Sequence, residues 1–569
     1  MKYQNYPVEN YDSLKQLLHR VAEKYGEKTL FLQKERGEYR AYSYSDVLSD
    51  VTALGAELCA LKLGGRRVMI SGANRYEWAL AFLAVTCVGG VAVPVDAGAS
   101  REELTHLAEL SGAEAIICQN SAAARYGGLP EGLAKISFAA LRKWIRAGKK
   151  RIREGDRAYW QIHPNTNAPA ALLYTAGTSG EPRGVLLSHG NLCFSIAEMS
   201  SMVYIDGEDT FLSYLPLHHI YELACGFLCP MSRGCAVAFS EGLQQLGKNL
   251  KEVSPTVMLC VPSLLSVMNR KVWDNIRRQG AESKVRRMID VTNAIPNPKL
   301  RAAAKRQSFA AIHKSFGGRL RLLITGGSTA DPEDCKALRE LGIPVLQGYG
   351  VTECSPIVAL NRDTCYRDDA AGLPTPNTLL DIGDMQEDGV GEIRYRGDGV
   401  MLGYDGMPEE TATSIRDGWF YTGDLGYLDS DGFLHIIGRK RNVITLADGR
   451  QVFPEEHEQM LRRSPWIGEA VVVSYPNGEG KDPSIVAVIH PNYAHASEIF
   501  GENATEEQLE TALRRAVAEV NGALPPHKRM ERFVVRREPF LRSATRKLRR
   551  AGVAEAAFDA YRQKRDADQ

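Results

Sequence analysis

Short apolar runs alternate with helical stretches through the first two-thirds of the chain, and this alternation most restricts the fold. A helical stretch over residues 75–88 separates the first two runs. The runs that are typical of strands are 68–71, 91–95, 115–118, 172–174, 257–260, 322–325 and 344–347. Strands that alternate with helices predict an α/β fold with parallel sheets covered by helices. Ligands of such sheets bind where the carboxyl ends of strands meet loops.

The chain has 569 residues, too many for a single hydrophobic core, so we expect more than one domain. A short polar segment, 438–442, follows the strand-like run 433–437. Beyond it the chain has strands of its own at 470–474 and 485–489 and a helix at 506–520. This pattern predicts a small C-terminal α+β domain joined through a charged hinge.

Basic and acidic side chains nearly cancel, with 70 Lys and Arg against 69 Asp and Glu. No field over the whole molecule favours nucleic acid or an anionic membrane, and we expect no nucleic-acid partner. The longest apolar stretch, 78–95, is broken by Gly89, Gly90 and Pro94. It therefore predicts a buried helix followed by a strand, not a membrane span.

The eleven cysteines form no CxxC pair, although Cys225, Cys229 and Cys235 lie close together in an apolar segment. A metal site and buried reduced thiols are both open here. The thiols are favoured because no His or second Cys pair accompanies the cluster. The N-terminal segment lacks the apolar core of a signal peptide. Together these features predict a cytoplasmic protein.

Residues 143–153 form a basic amphipathic stretch. Such a stretch is typical either of a helix on a membrane surface or of a solvated helix or linker. The solvated alternative is favoured, and we expect at most peripheral contact with a membrane.

The segment 171–185 is the most informative motif, because a strand runs into a loop rich in glycine and hydroxyl residues. The loop contains Thr175, Gly177, Thr178, Ser179, Gly180, Arg183 and Gly184. Glycines let backbone N–H groups approach an anion, and an arginine can fork onto phosphate oxygens. The spacing is not that of the usual P-loop, GxxxxGK[ST]. Composition alone leaves a phosphate loop and a glycine-rich hairpin turn equally open.

This segment resembles the signature loop Y-T-S-G-T-T-G-x-P-K-G-V of the adenylate-forming superfamily. That superfamily includes acyl-CoA synthetases, peptide-synthetase adenylation domains and firefly luciferases. The chain departs from the pattern at Ala176, Ser179 and Arg183, and the arginine changes the shape and reach of the family's lysine charge. The resemblance implies a large N-terminal domain of helix-covered parallel sheets with a small barrel-like subdomain, and a small mobile α+β C-terminal domain. We expect these domains at 1–440 and 441–569.

Further motifs follow in the family's order. Residues 215–222 resemble L-P-L-x-H-x-x-E, in which His219 would gate the acyl pocket, although a lone histidine is also typical of a packed core. The glycines of 325–328 are also typical of a simple tight turn, but the resemblance implies that Gly326, Gly327 and Ser328 lie against adenine and the acyl carboxylate. In 347–353, the resemblance implies that Tyr349 stacks on adenine, with space left by Gly348 and Gly350. Thr352 would contact the α-phosphate and Glu353 would hold Mg²⁺.

The remaining motifs lie towards the C-terminus. Residues 418–426 match W-x-x-T-G-D-x-G, so Asp424 would accept both ribose hydroxyls and Arg439 would be the second ribose or phosphate contact. Arg441 falls at the family's hinge, next to Asn442, where many members have Asp. The loop 446–455 would frame the coenzyme A channel, and it also predicts a β-hairpin. In 543–550, Lys547 matches the family's catalytic lysine, with Arg546 in place of the common Gly; a solvated basic face is the alternative there.

The resemblance covers nearly the whole chain and is closest to bacterial long-chain fatty acid–CoA ligases. It implies an ATP- and Mg²⁺-dependent ligase that forms an acyl-adenylate and passes the acyl group, from a medium- to long-chain fatty acid, to coenzyme A. The implied catalytic residues are Lys547, Glu353, Thr175, Arg183 and His219. The alternatives are transfer to an acyl carrier protein, or a non-catalytic nucleotide- or acyl-binding protein. An amino-acid-activating domain is disfavoured because no Asp lies between residues 215 and 239, and no carrier domain follows residue 569.

Overall fold

A computed structural model describes residues 4–119, 126, 129–176, 181–446, 450–475, 477, 482–501, 505–541, 550 and 552–558. The chain divides into two compact units. Unit 1 comprises 1–381, 394–421 and 428–435, and unit 2 comprises 382–393, 422–427 and 436–569.

Four of the described helices begin with a capping box that the sequence supplies. Ser43, Ser100, Ser188 and Thr505 each form a reciprocal capping box with the residue three positions later. The helices are α1 Leu14–Tyr25, α2 Tyr44–Ala60, α3 Tyr76–Cys87, α4 Arg101–Ser111, α5 Phe138–Arg153, α6 Ala158–Gln161, α7 His189–Met202, α8 Cys229–Ser232, α9 Leu246–Val253, α10 Pro262–Arg278, α11 Glu282–Asn293, α12 Pro298–Ser308, α13 Ala310–Ser315, α14 Pro332–Glu340, α15 Pro408–Ser414, α16 Pro454–Arg462, α17 Tyr493–Phe500 and α18 Glu506–Ala523.

The strands are short, as the apolar runs predict. They are β1 Thr29–Glu35, β2 Glu38–Ser43, β3 Arg67–Ser71, β4 Val91–Val95, β5 Ala115–Cys118, β6 Ala134–Ser137, β7 Pro169–Ala176, β8 Pro182–Ser188, β9 Thr210–Ser213, β10 Ala236–Phe239, β11 Val257–Cys260, β12 Leu322–Thr325, β13 Val345–Gly350, β14 Ile357–Leu360, β15 Leu373–Pro374, β16 Leu379–Gly383, β17 Gly391–Arg396, β18 Gly403–Tyr404, β19 Ile415–Arg416, β20 Trp419–Leu428, β21 Leu434–Arg439, β22 Ile444–Thr445, β23 Gln451–Val452, β24 Ile467–Tyr475, β25 Ser484–Pro491 and β26 Arg532–Val535.

Two large sheets form the framework of unit 1. One has the order β15-β14-β13-β12-β11-β9-β10-β1-β2, and the other β18-β8-β7-β4-β3-β5-β6. The neighbours from β13 to β1 in the first sheet, and from β7 to β6 in the second, are parallel. The predicted parallel, helix-covered fold is therefore confirmed. A further sheet has the order β16-β17-β20-β19, with β21 beside β20.

Helices bury their apolar faces against these sheets. Helix α3 is buried all round, which agrees with the prediction of a buried helix at the start of the longest apolar stretch. None of the described helices is both long and apolar enough to span a bilayer. Helix α5 buries Phe138, Leu141 and Ile145, and Gly148 lets it approach the backbone of Ala53 on α2. The apolar face of this basic helix is therefore a packing surface of the protein.

Unit 2 contains a small α+β fold, as predicted. The sheet β24-β25-β26 pairs its first two strands antiparallel and its last two parallel, and apolar residues of α16 and α18 share its core. Strands β22 and β23 form the predicted hairpin, in which Ile444 pairs with Val452; residues 447–449 lie outside the described residues.

Candidate active site

The predicted phosphate loop joins the two strands of an antiparallel hairpin. Thr175 on β7 pairs with Arg183 on β8, and Ala176 pairs with Pro182. The predicted contacts Gly177, Thr178, Ser179 and Gly180 lie outside the described residues. The pairing of β7 with β8 confirms the hairpin alternative, and phosphate binding by the loop stays a prediction.

Tyr404 on β18 connects this hairpin with Glu353. Strand β18 lies beside β8, where Tyr404 pairs with Val185. The tyrosine hydroxyl donates to Glu353 Oε1 at 3.0 Å. The Arg183 guanidinium carbon lies 5.5 Å from the centre of the tyrosine ring, a cation–π distance. Burial and the adjacent Glu353 carboxylate raise the pKa of Tyr404, so its hydroxyl remains a donor at neutral pH.

Hydrogen bonds and an ion pair hold this arrangement in place. Arg67 makes a bidentate ion pair with Asp405, with both N–O distances at 2.7 Å. The Asp405 amide donates to the Gly184 carbonyl, which fixes the strand beside the loop. Glu353 lies in a short 3₁₀-helix, Thr352–Cys354, and its carbonyl accepts from the Met401 amide at 2.8 Å.

The carboxylate of Glu353 suits a magnesium ion that is shared with a nucleotide. Among the described residues, no three His, Cys, Asp or Glu side chains converge as a metal-binding group. Mg²⁺ does not need such a cage, because it commonly binds through one or two carboxylates together with water and substrate phosphates. The donor chemistry therefore fits the predicted ion.

The register of β11, β12 and β13 brings two predicted turns together. Cys260 pairs with Thr325, and Thr325 pairs with Gln347, so the carboxyl ends of the three strands lie side by side. A Cβ added to Gly326 would lie 3.3 Å from both the Gly348 carbonyl oxygen and the Tyr221 ring. The segments 325–328, 347–353 and 215–222 therefore meet at one sheet edge, which is where ligands of parallel sheets bind.

Two glycines in these turns have distinct structural reasons. Gly327 has φ +84°, a conformation that favours glycine. A Cβ on Gly350 would lie 1.9 Å from the Pro356 carbonyl oxygen, so the backbone approaches too closely for any side chain. Tyr349, between Gly348 and Gly350, pairs with Ala359 of β14 and packs against the main core.

His219 precedes a π-helix, Tyr221–Leu228, and its ring centre lies 4.2 Å from that of His218. Burial lowers the pKa of His218 to about 4, so this ring is neutral at physiological pH. The Tyr221 hydroxyl donates to the Ile324 carbonyl at 2.9 Å and ties the π-helix to β12. π-Helical turns occur often at functional sites.

Glu222 is a buried carboxylic acid in the same π-helix. Burial raises its pKa to about 8, while a hydrogen bond from Ser213 opposes the shift. Its carboxyl group folds over Gly226, where an added Cβ would lie 2.6 Å from Cδ, and Oε1 has no hydrogen-bond partner among the described residues. The environment therefore favours the protonated, neutral acid at pH 7.

The three clustered cysteines are buried thiols, as the sequence favours. Cys225 lies 3.0 Å from the Met199 sulfur, and Cys235 donates to the Asp206 carbonyl oxygen. Burial raises the pKa of all three thiols, which keeps them protonated and unreactive.

In unit 2, Asp424 and Arg439 form an ion pair, with Arg439 Nε 3.1 Å from Asp424 Oδ1. Asp424 lies on β20 and Arg439 ends β21, which pairs with β20. The Thr422 hydroxyl donates to the Ile393 carbonyl and accepts from the Asp424 amide, which orients the carboxylate. The two residues predicted to contact ribose are therefore neighbours.

Glu392 binds residues next to both members of this pair. The Gly423 amide donates to one of its carboxylate oxygens at 3.1 Å, and Lys440 donates to the other at 2.7 Å. Gly423 has φ +71°, so the glycine of the T-G-D motif is required by the turn.

The predicted hinge residue Arg441 lies exposed in a 3₁₀-helix, Lys440–Asn442. Asn442 donates to Glu455 Oε1 at 2.5 Å, and Glu455 in turn lies 3.5 Å from Arg550. Arg550 also pairs with Glu458 at 2.6 Å, which offsets the burial that raises the pKa of that carboxyl. Lys547 and Arg546 lie outside the described residues.

Three residues of these clusters were not identified from the sequence. Tyr404 and Glu392 stand in short strands without a chemical motif, and only strand pairing brings them to Glu353 and Gly423. Glu222 ends the L-P-L-x-H-x-x-E segment, which was a signal for its importance but not for its burial.

Family models match most of the chain. The family model for AMP-binding enzymes matches residues 18–405, and the model for the AMP-binding enzyme C-terminal domain matches residues 441–561. Long-chain-fatty-acid–CoA ligase FadD15 of Mycobacterium tuberculosis is 29% identical over 549 residues and covers 88% of each chain. Human long-chain-fatty-acid–CoA ligase 1 is 31% identical over 354 residues, which are 58% of this chain and 49% of the human protein.

Solved structures share the fold. The anthranilate CoA ligase AuaEII in complex with anthranoyl-AMP superposes with a TM-score of 0.75 at 18% identity, covering 97% of this chain and 98% of that one. ATP-bound MatB from Rhodopseudomonas palustris has a TM-score of 0.73 at 21% identity, with 96% and 100% covered. Together with the family model, which matches well over half of the sequence, these likenesses show that the chain belongs to the AMP-binding enzymes, the adenylate-forming superfamily that its motifs predict.

Proposed function

We propose that this chain is an AMP-forming ligase that activates a medium- to long-chain fatty acid and transfers the acyl group to coenzyme A. The observation that carries the proposal is the connection from Arg183 of the hairpin through Tyr404 to Glu353. It joins a cation suited to phosphate with a carboxylate suited to Mg²⁺. The curated relatives named as long-chain fatty acid ligases supply the substrate class.

In the first step, the fatty acid carboxylate attacks the α-phosphorus of ATP and pyrophosphate leaves. Both reactants are anions, so charge repulsion and alignment dominate the barrier. The hairpin offsets this charge through Arg183, the hydroxyl of Thr175 and the predicted contacts 177–180. Mg²⁺, when bound at Glu353, neutralises phosphate charge. Lys547 bridges the acyl carboxylate and the α-phosphate in this proposal.

The nucleoside is held by two groups of residues. Thr352 contacts the α-phosphate, and Gly326, Gly327 and Ser328 lie against adenine, on whose other face Tyr349 stacks. Asp424 accepts from the ribose hydroxyls, supported by Arg439. The buried Asp424 side chain and its orienting threonine support this assignment, since a carboxylate suits two adjacent donors.

In the second step, the thiol sulfur attacks the acyl carbon of the adenylate, the thioester forms, and AMP leaves with the former anhydride oxygen. We propose that the division at 440/441 is functional and that residues 441–569 rotate about Arg441 between the steps. His219 then shifts to open the acyl pocket to the thiol. A hinge lets one protein serve two steps that need different groups at the reacting atoms.

An acyl carrier protein presents the same phosphopantetheine thiol as coenzyme A, so the choice between these two acceptors needs a direct assay.

All eleven cysteines are free thiols, which supports a cytoplasmic setting for the reaction.

Two assays test the proposal. Hydroxylamine trapping with ATP and Mg²⁺, over acids from acetate to palmitate, should give hydroxamate with the longer acids. Adding coenzyme A or a holo acyl carrier protein in separate reactions should then yield acyl-CoA in preference to acyl carrier protein thioester. Failure to trap adenylate with any acid, despite nucleotide binding, would leave a non-catalytic binding protein as the function.

A further inference from the structure

One segment of unit 1 carries a charge that the whole-chain balance conceals. Residues 262–315, which include helices α10 to α13, contain twelve Lys and Arg against three Asp and Glu, a net charge of +9. The complete chain carries +1, so the remaining residues together are net acidic. The segment therefore produces a local positive potential that the overall composition does not indicate.

Most of these cations are exposed, and few are neutralised. Asp274 and Glu282 take part in ion pairs with Arg277, and Glu282 also pairs with Arg286. Exposed cations that form no ion pair within the described parts of the chain are Arg270, Lys271, Arg278, Lys284, Arg287, Lys299, Arg306 and Lys314. Their full charge is available to an external partner.

Apolar side chains are exposed among these cations. Val267 on α10 is 42% exposed, Val291 on α11 59% and Leu300 on α12 63%. The opposite faces of α10 and α11 are anchored in the protein by the buried side chains of Trp273 and Ile289. The exposed apolar groups are therefore not needed for folding of these helices.

Helical spacing places the two kinds of side chain on common faces. Arg270 and Lys271 follow Val267 by three and four positions on α10. Arg287 precedes Val291 by four positions on α11. Residues three or four apart share one face of a helix, so Val267 and Val291 each stand beside exposed cations.

We propose that the outer face of α10, α11 and α12 docks the protein on an anionic bilayer surface. Lipid phosphates attract the unpaired cations, and the isolated valine and leucine side chains enter the boundary between headgroups and acyl chains. A nucleic acid could pair its phosphates with the cations, but it would not bury the exposed valine and leucine side chains. The proposal does not depend on ligase activity, because docking is measured without turnover.

Vesicle sedimentation with the full chain tests the proposal, using vesicles of phosphatidylcholine alone and of phosphatidylcholine with phosphatidylglycerol. The protein should bind only the anionic vesicles, and more weakly as salt is raised. Each cation near an anionic surface changes affinity about fivefold. The combined variant Arg270→Gln, Lys271→Gln and Arg287→Gln should therefore bind about 10²-fold more weakly.

A matched control removes the same charge from α5. Lys143, Arg146 and Lys150 are exposed, and their combined replacement by Gln should change vesicle affinity only a few-fold, as for distant charges. The double variant Val291→Ser and Leu300→Ser should weaken vesicle binding with the charge intact. Thermal unfolding shows whether each variant remains folded. Equal losses in the two triple variants, an unchanged double variant, or binding of duplex DNA without binding of vesicles would each overturn the proposal.

Discussion

The Tyr404 hydroxyl donates to Glu353, which lies 51 positions earlier in the chain, and the pairing of Tyr404 with Val185 holds the tyrosine beside the hairpin. Its ring also contacts the Arg183 guanidinium. The tyrosine therefore keeps a cation and an anion of the proposed nucleotide site apart while orienting both. A direct ion pair between Arg183 and Glu353 would occupy the groups that ATP and Mg²⁺ need.

Replacing Tyr404 with Phe should raise the Mg²⁺ concentration needed for adenylate formation. The variant keeps the ring near Arg183 but removes the hydrogen bond that orients Glu353. Hydrogen bonds to charged groups contribute about 1.5–3 kcal/mol, so we expect the rate of adenylate formation at low Mg²⁺ to fall roughly 10-fold to 10²-fold. Pyrophosphate exchange across a Mg²⁺ titration measures this. Tyr421→Phe, whose hydroxyl contacts Arg394 at 3.4 Å, is the matched control. Identical titrations for both variants would contradict the assigned role.

Asp424→Asn should weaken the binding of ATP, because Asp424 is the proposed acceptor for the ribose hydroxyls. An amide accepts fewer hydrogen bonds than a carboxylate and loses the ion pair with Arg439. We expect KM for ATP to rise about 10-fold or more. The sharper test compares ATP with 2′-deoxy-ATP in both proteins. The wild type should discriminate between the two nucleotides, whereas the variant should not; a variant that still discriminates would refute the contact with that hydroxyl.

Lys547→Ala should slow adenylate formation by about 10²–10³-fold, the loss typical of one preorganised donor. The lysine acts only in the first step of the proposed mechanism. Transfer from a supplied acyl-adenylate to coenzyme A should therefore be unaffected, and this reaction is the internal control. Pyrophosphate exchange at the wild-type rate would show that another residue bridges the reacting anions.

Glu222→Gln should flatten the pH dependence of stability. The folded-state pKa of Glu222 is raised from 4.5 to about 8, so its stabilising contribution is complete below pH 4.5 and is lost as pH rises towards 8. Glutamine mimics the neutral acid and cannot ionise. Urea unfolding between pH 5 and 8 should show a smaller loss of unfolding free energy in the variant. The exposed change Glu208→Gln is the control, and parallel profiles for Glu222→Gln and the wild type would exclude burial of a neutral acid.

Asn442→Asp tests the hinge. The substitution places a carboxylate where Asn442 now donates to Glu455, and like charges repel. We expect thioester formation to fall roughly tenfold with less effect on adenylate formation. The double variant Asn442→Asp and Glu455→Gln again pairs one hydrogen-bond donor, the new amide, with one acceptor, the new carboxylate. It should therefore recover the rate of thioester formation. Equal loss in both steps, or no recovery, would argue against a hinge role for this contact.

Much of the framework could be predicted from the sequence because its signals are local. Strands β4, β5, β11 and β12 have the predicted bounds, since short apolar runs between helical stretches favour buried strands. The glycines at 327 and 423 stand at positions with positive φ, which few other residues adopt. By contrast, β1 and β2 were not predicted, because their mixture of polar and apolar residues lacks a clear period.

The sequence by itself determined the order of the motifs, the α/β class and membership of the family, because each depends on residue type and spacing along the chain. Only the tertiary structure decided that Tyr404 meets Glu353, that Glu392 supports the T-G-D turn and that Glu222 is buried. It also decided that α5 turns its apolar face inwards. These properties depend on strand register and on exclusion of water, which arise from contacts between residues far apart in the chain.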